Sequence, residues 1–350
     1  MKYKITDGIT QSLLSAFASC RVQILNTLEL WETLGFRLPL TLGSITHGTL
    51  EDYANAIIKG ADVSSSDVTD KIVKNAITTR VKKELPEISS VAATEELTQA
   101  ADMMQSVLQV YTQYWKKDHK RKWFAMEDVF DIMWLPPSKA LGPYRLRGKI
   151  DGAFCKGKKD AWLQETKTAG QIREEELTDA LSFDFQSLFY LAAMKVKYPQ
   201  FSWKGVEYNV IRKPQLKAKK GENRKAFLER IWDDVNERPD FYFNRFELVF
   251  PEEVQDEFAE QLLGKLSEFE AWLNGDLVTY RNESACRGRW SCNFLKACAA
   301  GGPSKPDYKQ TRVLFSELLE EGETSGSKKS KAKRRSIKKR KVKKGKAKKR

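Results

Sequence analysis

Residues 147–167 read RGKIDGAFCKGKKDAWLQETK, and the rest of the chain can be interpreted around this stretch. Two short runs, at 144–154 and 161–168, alternate apolar with polar residues, and a turn rich in lysine and glycine separates them. Alternation with a period of two, broken by such a turn, predicts two paired β-strands. The fold is therefore expected to contain a sheet at this point of the chain.

The two predicted strands carry two carboxylates and a lysine. Asp151 lies on the first strand, and Glu165 and Lys167 share one face of the second. Carboxylate oxygens suit Mg²⁺ or Mn²⁺, and a lysine can contact a phosphate or stabilise developing negative charge. The alternative is that these charges form the solvated face of a strand. Ile150 and Trp162 favour the site, because acids placed among buried residues are costly unless a cation compensates them.

Length and composition indicate a globular chain. The 350 residues include 41% hydrophobic residues and nine tryptophans, enough for one large core or two modest ones. No run approaches the roughly 20 apolar residues that span a bilayer. Residues 1–10 lack the apolar segment of a secretory signal. We therefore expect a cytoplasmic protein of a bacterial or phage-infected cell, without a membrane partner.

The net charge of +14 is concentrated in one segment. Residues 325–350 contain 16 lysines and arginines and no acidic residue. Taking these 16 from the 61 basic residues leaves 45 against 47 acidic residues, so residues 1–324 have a net charge of −2. The tail is predicted to be disordered and to bind nucleic acid by neutralising phosphates. The alternatives are a nuclear-import signal, with a nuclear location, and a solubilising extension.

Helical patterns precede and follow the predicted strands. We expect an α/β fold with a mixed central sheet flanked by helices, divided into a helical part at 1–122, a core at 123–215, a C-terminal part at 216–310 and the tail at 325–350. Helices are predicted at 9–34, after a cap at Ser44, and at 61–90, 94–117, 183–198, 226–236 and 251–273. Further strands are predicted at 124–135, 205–211 and 243–250.

Five features, in this order, resemble the RecB-type nucleases of the PD-(D/E)XK superfamily, including compact forms in phages and the CRISPR-associated and AddB-like exonucleases. GSITHGTLEDY at 43–53 resembles the helix with a metal-binding histidine, and RGKIDGAF resembles the strand with the first acidic ligand. LQETKT at 163–168 resembles the strand with the E-x-K pair, and FDFQSLFYLAAM at 183–194 the Q-x-x-x-Y helix. The fifth feature is a set of four cysteines.

The resemblance implies a restriction-endonuclease-like core and a role for each motif residue. The metal ligands would be His47, Asp151, Glu165 and the backbone carbonyl of Thr166. Lys167 would be the catalytic lysine, and Gln186 and Tyr190 would bind the substrate. A bound divalent cation fits the proposed reaction, because it activates water near neutral pH and offsets charge on the attacked phosphate.

Several of these residues also have structural interpretations. A lone histidine such as His47 near a helix start is often a cap or a surface residue. Gln186 and Tyr190 could be ordinary helix packing. Glu127, on the preceding predicted strand, is a weaker candidate for the edge of the site, and His119 in the run KKDHKRK is expected to be solvated.

The five cysteines suggest a bound metal rather than a disulfide framework in a reducing compartment. Cys286, Cys292 and Cys298 are spaced C-x5-C-x5-C. Cys155 is expected to pack on the second paired strand, so Cys20 remains as the fourth ligand. Zinc sites favour C-x2–4-C pairs, which are absent here. The resemblance implies a [4Fe–4S] cluster, although several relatives have a tighter C-x2-C-x5-C spacing. Zinc and unligated cysteines are the alternatives.

The expected function is a metal-dependent DNA nuclease, with an exonuclease acting on ends or single strands as the first choice, in DNA processing, recombination or repair. The sequence contains no G-x-x-x-x-G-K-[ST] motif, so a helicase or recombination partner would be a separate chain. Two other classes remain open at this point. One is a non-catalytic nucleic-acid-binding module of the same fold, and the other is a protein whose basic tail is its function.

Overall fold

A mixed five-stranded sheet forms the centre of the part of the chain that the structure describes. This computed structural model describes residues 3–318 apart from 139–140, 171–180, 288–291, 306, 312 and 316–317. The basic tail at 325–350 lies outside the described residues. The strand order is β2-β3-β4-β5-β6; β4 and β5 are parallel and the other neighbouring pairs antiparallel. The strands are β2 (Lys122–Trp134), β3 (Tyr144–Cys155), β4 (Asp160–Ala169), β5 (Ser202–Arg212) and β6 (Phe243–Val249).

Helices before, between and after the strands complete the architecture, which confirms the predicted α/β fold with a mixed sheet flanked by helices. In the N-terminal part they are α1 (Gln11–Ser19), α2 (Arg21–Leu28), α3 (Leu38–Ile58), α4 (Ser66–Glu84) and α5 (Val91–Tyr114). Farther along the chain they are α6 (Phe185–Lys197), α7 (Arg224–Glu237), α8 (Pro239–Tyr242), α9 (Glu252–Asn274), α10 (Glu283–Cys286) and α11 (Leu295–Ala299). Short 3₁₀ turns lie at Ile5–Asp7, Leu85–Glu87 and Lys116–Lys120.

The sheet is buried on both faces, in two separate hydrophobic clusters. Val206, Tyr208 and Val210 of β5 pack in one cluster with α1, α6 and α9. Ile211 packs on the other side with α3, α4, α5 and α7. Successive side chains of a strand point to opposite faces, so the run at 206–211 supplies both clusters.

The first predicted helix is interrupted in the structure. Sequence periodicity predicted one helix over 9–34, but Cys20 has an extended backbone (φ −162°) that ends α1 and begins α2. The strand β1 (Trp31–Thr33) follows, and it pairs antiparallel with β7 (Tyr308–Gln310). The pairing satisfies backbone groups that a helix would otherwise satisfy internally. The apolar period continues across the break, which is why the sequence did not reveal it.

A glycine of the central motif is required by close packing. A Cβ atom added at Gly148 would lie 2.5 Å from Cζ of Phe130 and 3.3 Å from Cε1 of Tyr190. The side chains of β2 and α6 therefore meet directly over the backbone of β3. Among the described residues, no helix is both long and apolar enough to cross a membrane.

Candidate active site

Asp151 joins β3 to β4 and α3. Its Oδ2 atom accepts a 2.7 Å hydrogen bond from the backbone N–H of Thr166 and lies 3.2 Å from Nδ1 of His47. The β3–β4 register pairs Gly152 with Gln164, so Asp151 and Glu165 are the next pair along the two strands. His47 lies in the middle of α3, because this helix begins at Leu38 and not near Ser44 as predicted. One carboxylate thus links residues more than 100 positions apart in the sequence.

Glu127 completes a group of three possible metal ligands. One ligand atom each from His47, Glu127 and Asp151 lie within 4.8 Å of one another. Glu127 has a left-handed backbone (φ 45°), which is unusual for a residue with a side chain and is typical of functional sites. Its carboxylate also forms an ion pair with Lys149 of the facing strand. Sequence analysis treated Glu127 only as a weaker candidate, since no local pattern signals its backbone conformation.

Glu165, Lys167 and Gln186 form a second group beside the first. The Lys167 ammonium donates to Oε1 of Glu165 at 2.5 Å and to Oε1 of Gln186 at 3.2 Å. Nε2 of Gln186 donates in turn to Oε1 of Glu165 at 2.9 Å. Asp184 caps α6 by accepting from the N–H of Ser187, which fixes the start of this helix. Gln186 is therefore held against β4 by the start of its own helix.

Tyr190 follows Gln186 by one helical turn and approaches the same site. Its hydroxyl hydrogen-bonds Gln186, and burial together with the charges of Glu165 and Asp151 raises its pKa. Its ring contacts Phe130 edge-on, with the ring centroids 5.8 Å apart. Tyr190 thus combines packing with a polar contact to the candidate site.

The carboxylates of the site repel one another. Burial and the neighbouring Asp151 raise the pKa of Glu165 to about 7 and raise the pKa of Glu127 as well. Burial also disfavours the ionised form of Asp151, but the hydrogen bond and the charge of His47 lower its pKa overall. Burial opposes protonation of His47, yet Asp151, Glu127 and Glu165 together raise its pKa. Burial and mutual repulsion therefore disfavour simultaneous ionisation of Glu127 and Glu165, although Lys149 and Lys167 offset part of the charge.

These residues fit a hard divalent cation. A cation near the carboxylates would relieve their mutual repulsion, and imidazole and carboxylate atoms are suitable ligands for it. The sequence profile of the PD-(D/E)XK nuclease superfamily matches residues 9–299.

The chain belongs to the PD-(D/E)XK nuclease superfamily.

Membership implies a metal-dependent nuclease with a nucleic-acid substrate, and the match covers every motif from His47 to Cys298. No curated protein sequence is significantly similar to the chain. The structure places Asp151, Glu165 and Lys167 of this PD-(D/E)XK chain together on neighbouring strands. It gathers Glu127, instead of Glu165, with His47 and Asp151. The role of each residue remains a prediction.

A buried polar network supports the PD-(D/E)XK site from the side of α5. Nδ2 of Asn209 donates to Oγ1 of Thr166 at 3.3 Å, and the Tyr111 hydroxyl donates to Oδ1 of Asn209 at 3.0 Å. Arg245 donates to both Tyr111 and Asn209, at 2.8 and 3.2 Å. This network has a signal in the sequence, because Glu207 and Asn209 are polar residues at alternate positions of an otherwise apolar strand.

The four predicted cluster cysteines are close enough to influence one another but do not converge. Burial raises the pKa of the Cys298 thiol, and Cys292, Cys20 and Cys286 raise it further, partly offset by Arg281. In the described part of the PD-(D/E)XK chain, no three cysteine sulfurs lie within 4.8 Å of one another. The predicted [4Fe–4S] cluster is therefore not confirmed. Cys155 was predicted on the second paired strand, but it is the last residue of the first, β3, where it is half-buried.

Proposed function

We propose that this protein is a metal-dependent deoxyribonuclease of the RecB type, an exonuclease acting on DNA ends or single strands in processing, recombination or repair. The observation that carries the proposal is the contact between the group of His47, Glu127 and Asp151 and the pair of Glu165 and Lys167, through the hydrogen bond from Thr166 to Asp151. Mg²⁺ or Mn²⁺ is the proposed cofactor, and a separate helicase or recombination protein is the proposed partner.

The residues of the site have distinct proposed roles. His47, Glu127 and Asp151, with Glu165 and the Thr166 carbonyl, would hold the divalent cation. When bound, the cation supplies Lewis-acid activation of water and charge neutralisation at the phosphate. Lys167 donates hydrogen bonds to a phosphate oxygen as negative charge develops there.

Two residues of α6 orient that lysine. Gln186 holds the Lys167 ammonium through its own amide oxygen and also fixes the Glu165 carboxylate. Tyr190 hydrogen-bonds Gln186 and would face the DNA strand. A lysine held from two sides is oriented before the substrate arrives, which lowers the cost of reaching the transition state.

Two variants test the proposal. Asp151→Asn removes a negative charge from the proposed metal ligands. Lys167→Met removes the ammonium of a side chain that is 44% exposed. Each is expected to reduce Mn²⁺-dependent cleavage of DNA by at least about a hundredfold, the scale on which a single positioned electrostatic group acts. Cleavage is measured with end-labelled single and double strands, which also distinguishes exonuclease from endonuclease products.

The matched control is Asp131→Asn. Asp131 is an exposed residue of β2 whose carboxylate pairs with Arg145, and its substitution is expected to leave cleavage unchanged. A Mn²⁺ titration followed by thermal unfolding separates metal loss from misfolding: the wild type and Lys167→Met gain stability, and Asp151→Asn gains less. Unchanged cleavage in both site variants would show that the reaction uses other residues. Binding of DNA without cleavage in any divalent metal would favour the non-catalytic module.

We also propose that Cys20, Cys286, Cys292 and Cys298 hold a [4Fe–4S] cluster. The segments that carry them are in contact: Nδ2 of Asn282 donates to the Ser19 carbonyl at 2.8 Å. A four-iron cluster has an inorganic core between its thiolates, so it separates them more than one zinc ion does. Protein purified without oxygen should absorb broadly near about 400 nm and lose this band in a Cys298→Ser variant. A colourless protein without zinc would leave these cysteines unligated.

A further inference from the structure

Six exposed lysines gather at the end of the sheet where β2 begins and β3 turns into β4. We call them the lysine patch; its members are Lys116, Lys117, Lys120, Lys122, Lys158 and Lys159. Lys122 is opposite Cys155 in the β2–β3 register, and its ammonium donates to the Gly157 carbonyl at 3.4 Å. The two lysine-bearing segments are therefore adjacent in space although about 40 residues separate them in the sequence.

The lysine patch is not neutralised by neighbouring acids. None of its members has a carboxylate within 4 Å in the part of the chain that the structure describes. The carboxylates near the turn already have other partners: Glu247 pairs with Lys156, and Asp160 lies 3.7 Å from Lys204. Residues 1–324 have a net charge of −2, so six unpaired positive charges at one end are a marked local excess.

The segment that carries most of the patch is fixed to the sheet. Asp118 and Arg121 point inward: Arg245 donates to Asp118 at 2.6 Å, and Arg121 makes two hydrogen bonds to Glu207, at 2.6 and 2.8 Å. The Arg121 guanidinium also lies over the Phe154 ring, 4.5 Å from its centroid. Lys120 lies between these two anchors, and Lys116, Lys117 and Lys122 flank them. The positive charges are thus presented from a rigid backbone, which reduces the entropy lost on binding.

The segment that carries the patch also borders the candidate active site. Asp118 and Trp123, its neighbours in the sequence, line a small cavity of about 20 Å³ together with His47, Glu127 and Asp151. Along β3, Cys155 beside Lys122 is four residues from Asp151, a distance of about 13 Å at the rise of an extended strand. At the rise of about 3.4 Å per nucleotide along the axis of a DNA duplex, this distance corresponds to about four nucleotides of one strand of the duplex.

We propose that the lysine patch binds the phosphate backbone of the DNA substrate about four nucleotides from the phosphate that is cleaved. The proposal deepens the nuclease function and rests on it. Lysine ammonium groups are point-charge phosphate ligands that require no particular base sequence. Their position at one end of the strands that carry the metal ligands sets the path of the DNA strand.

The first experiment is a lysine footprint of the full chain. Acetylation of each lysine is measured by mass spectrometry with and without a short DNA duplex carrying a single-stranded extension, in EDTA so that no metal-dependent cleavage occurs. Because the footprint resolves individual residues, binding by the basic tail does not obscure it. We expect acetylation of the patch lysines to fall at least about threefold, and acetylation of Lys71 and Lys74, exposed on α4, to stay unchanged.

The second experiment compares three variants that each lose two charges. Lys117→Gln with Lys120→Gln and Lys158→Gln with Lys159→Gln remove charge from the patch, and Lys71→Gln with Lys74→Gln is the control. Each patch variant should raise KM for DNA cleavage about tenfold at moderate salt, with kcat unchanged, because ground-state contacts to phosphate are lost. The control should change KM less than about twofold.

The outcomes separate this proposal from the nuclease function. Cleavage with no protection of the patch and no rise in KM would overturn the patch and leave the nuclease intact. Protection of the patch without cleavage in any metal would leave a DNA-binding surface and remove the enzyme. An equal rise in KM for the Lys71→Gln, Lys74→Gln control would show that positive charge acts regardless of its position on the surface, which would overturn the proposal. Binding of acidic peptides in competition with DNA at the same lysines would assign the patch to a protein partner instead.

Discussion

At the scale of single residues, the candidate site is defined by three carboxylates that lie close together and are removed from solvent. Glu127, Asp151 and Glu165 each have one basic neighbour, namely Lys149, His47 and Lys167. Such a group costs free energy in the metal-free protein, because like charges in a buried site disfavour ionisation. The site is therefore expected to limit stability when no cation is bound.

Glu165 gives a direct test of that cost. Its folded pKa of about 7 lies above its value of about 4.3 in an unfolded chain, so ionisation destabilises the fold. The penalty is absent below pH 4, grows as the pH rises through that interval and is complete above pH 7. In EDTA, Glu165→Gln should raise the free energy of unfolding by about 2 kcal/mol at pH 8 and change it little at pH 4.5.

Urea unfolding at the two pH values measures this difference. Glu260→Gln, an exposed change on α9, serves as the control and should have little effect at either pH. Added Mn²⁺ should reverse the order of stability, because the wild type gains a ligand that the variant binds less well. A variant that is less stable than the wild type at pH 8 in EDTA would show that the Lys167 ion pair outweighs the repulsion.

At the scale of secondary-structure elements, the sequence predicted the strands better than their surroundings. The E-x-K strand and its partner were predictable because alternation with a period of two sets which residues share a face. Glu127 could not be ranked, since its position depends on a left-handed backbone and on contact with α3. The break at Cys20 could not be predicted, because the helical spacing of apolar residues does not show that β7, far along the chain, pairs with β1 just after the break.

The buried network between α5 and β6 explains how the helical part is joined to the sheet. Arg245 is 6% exposed and lies between Asp118 and Glu207, which are 8% and 2% exposed. Burial alone would raise the pKa of Glu207, but Arg121, Arg245 and Gln164 lower it overall. The carboxylate therefore adds stability above its unfolded pKa, and this stability is lost as the pH falls through the lower folded pKa.

Removing the central guanidinium should leave the buried carboxylates of Asp118 and Glu207 to share the single guanidinium of Arg121. Arg245→Met is expected to cost about 3 to 5 kcal/mol of unfolding free energy at neutral pH, and less in acid, where Glu207 can be protonated. Arg238→Met is the control, because Arg238 is 51% exposed and solvent screens its pair with Asp234, so the loss of this pair should change the free energy of unfolding little. Equal losses in the two variants, measured by urea unfolding, would show that the network adds nothing beyond packing.

At the scale of the whole molecule, positive charge is placed in two different ways. The lysine patch is a fixed surface that begins about 13 Å from Asp151, whereas the 16 basic residues at 325–350 lie outside the described residues. A fixed patch can set the path of a strand, and a basic tail can raise the local concentration of DNA without a defined docking position. Both are expected to affect binding and not kcat, but only the patch is expected to protect a defined position on the DNA.

Deletion of residues 325–350 tests the contribution of the basic tail to DNA binding. The truncated protein should bind DNA more weakly at low salt, and its plot of log affinity against log salt should become flatter by several units, because fewer counterions are released. Cleavage at saturating DNA should keep its rate, since none of the residues proposed to hold metal or orient phosphate lies in the tail. A chain carrying a neutral Gly/Ser tail of the same length separates charge from length and should behave like the truncation. If kcat falls together with affinity, the tail takes part in the reaction, and the body alone does not contain the complete site.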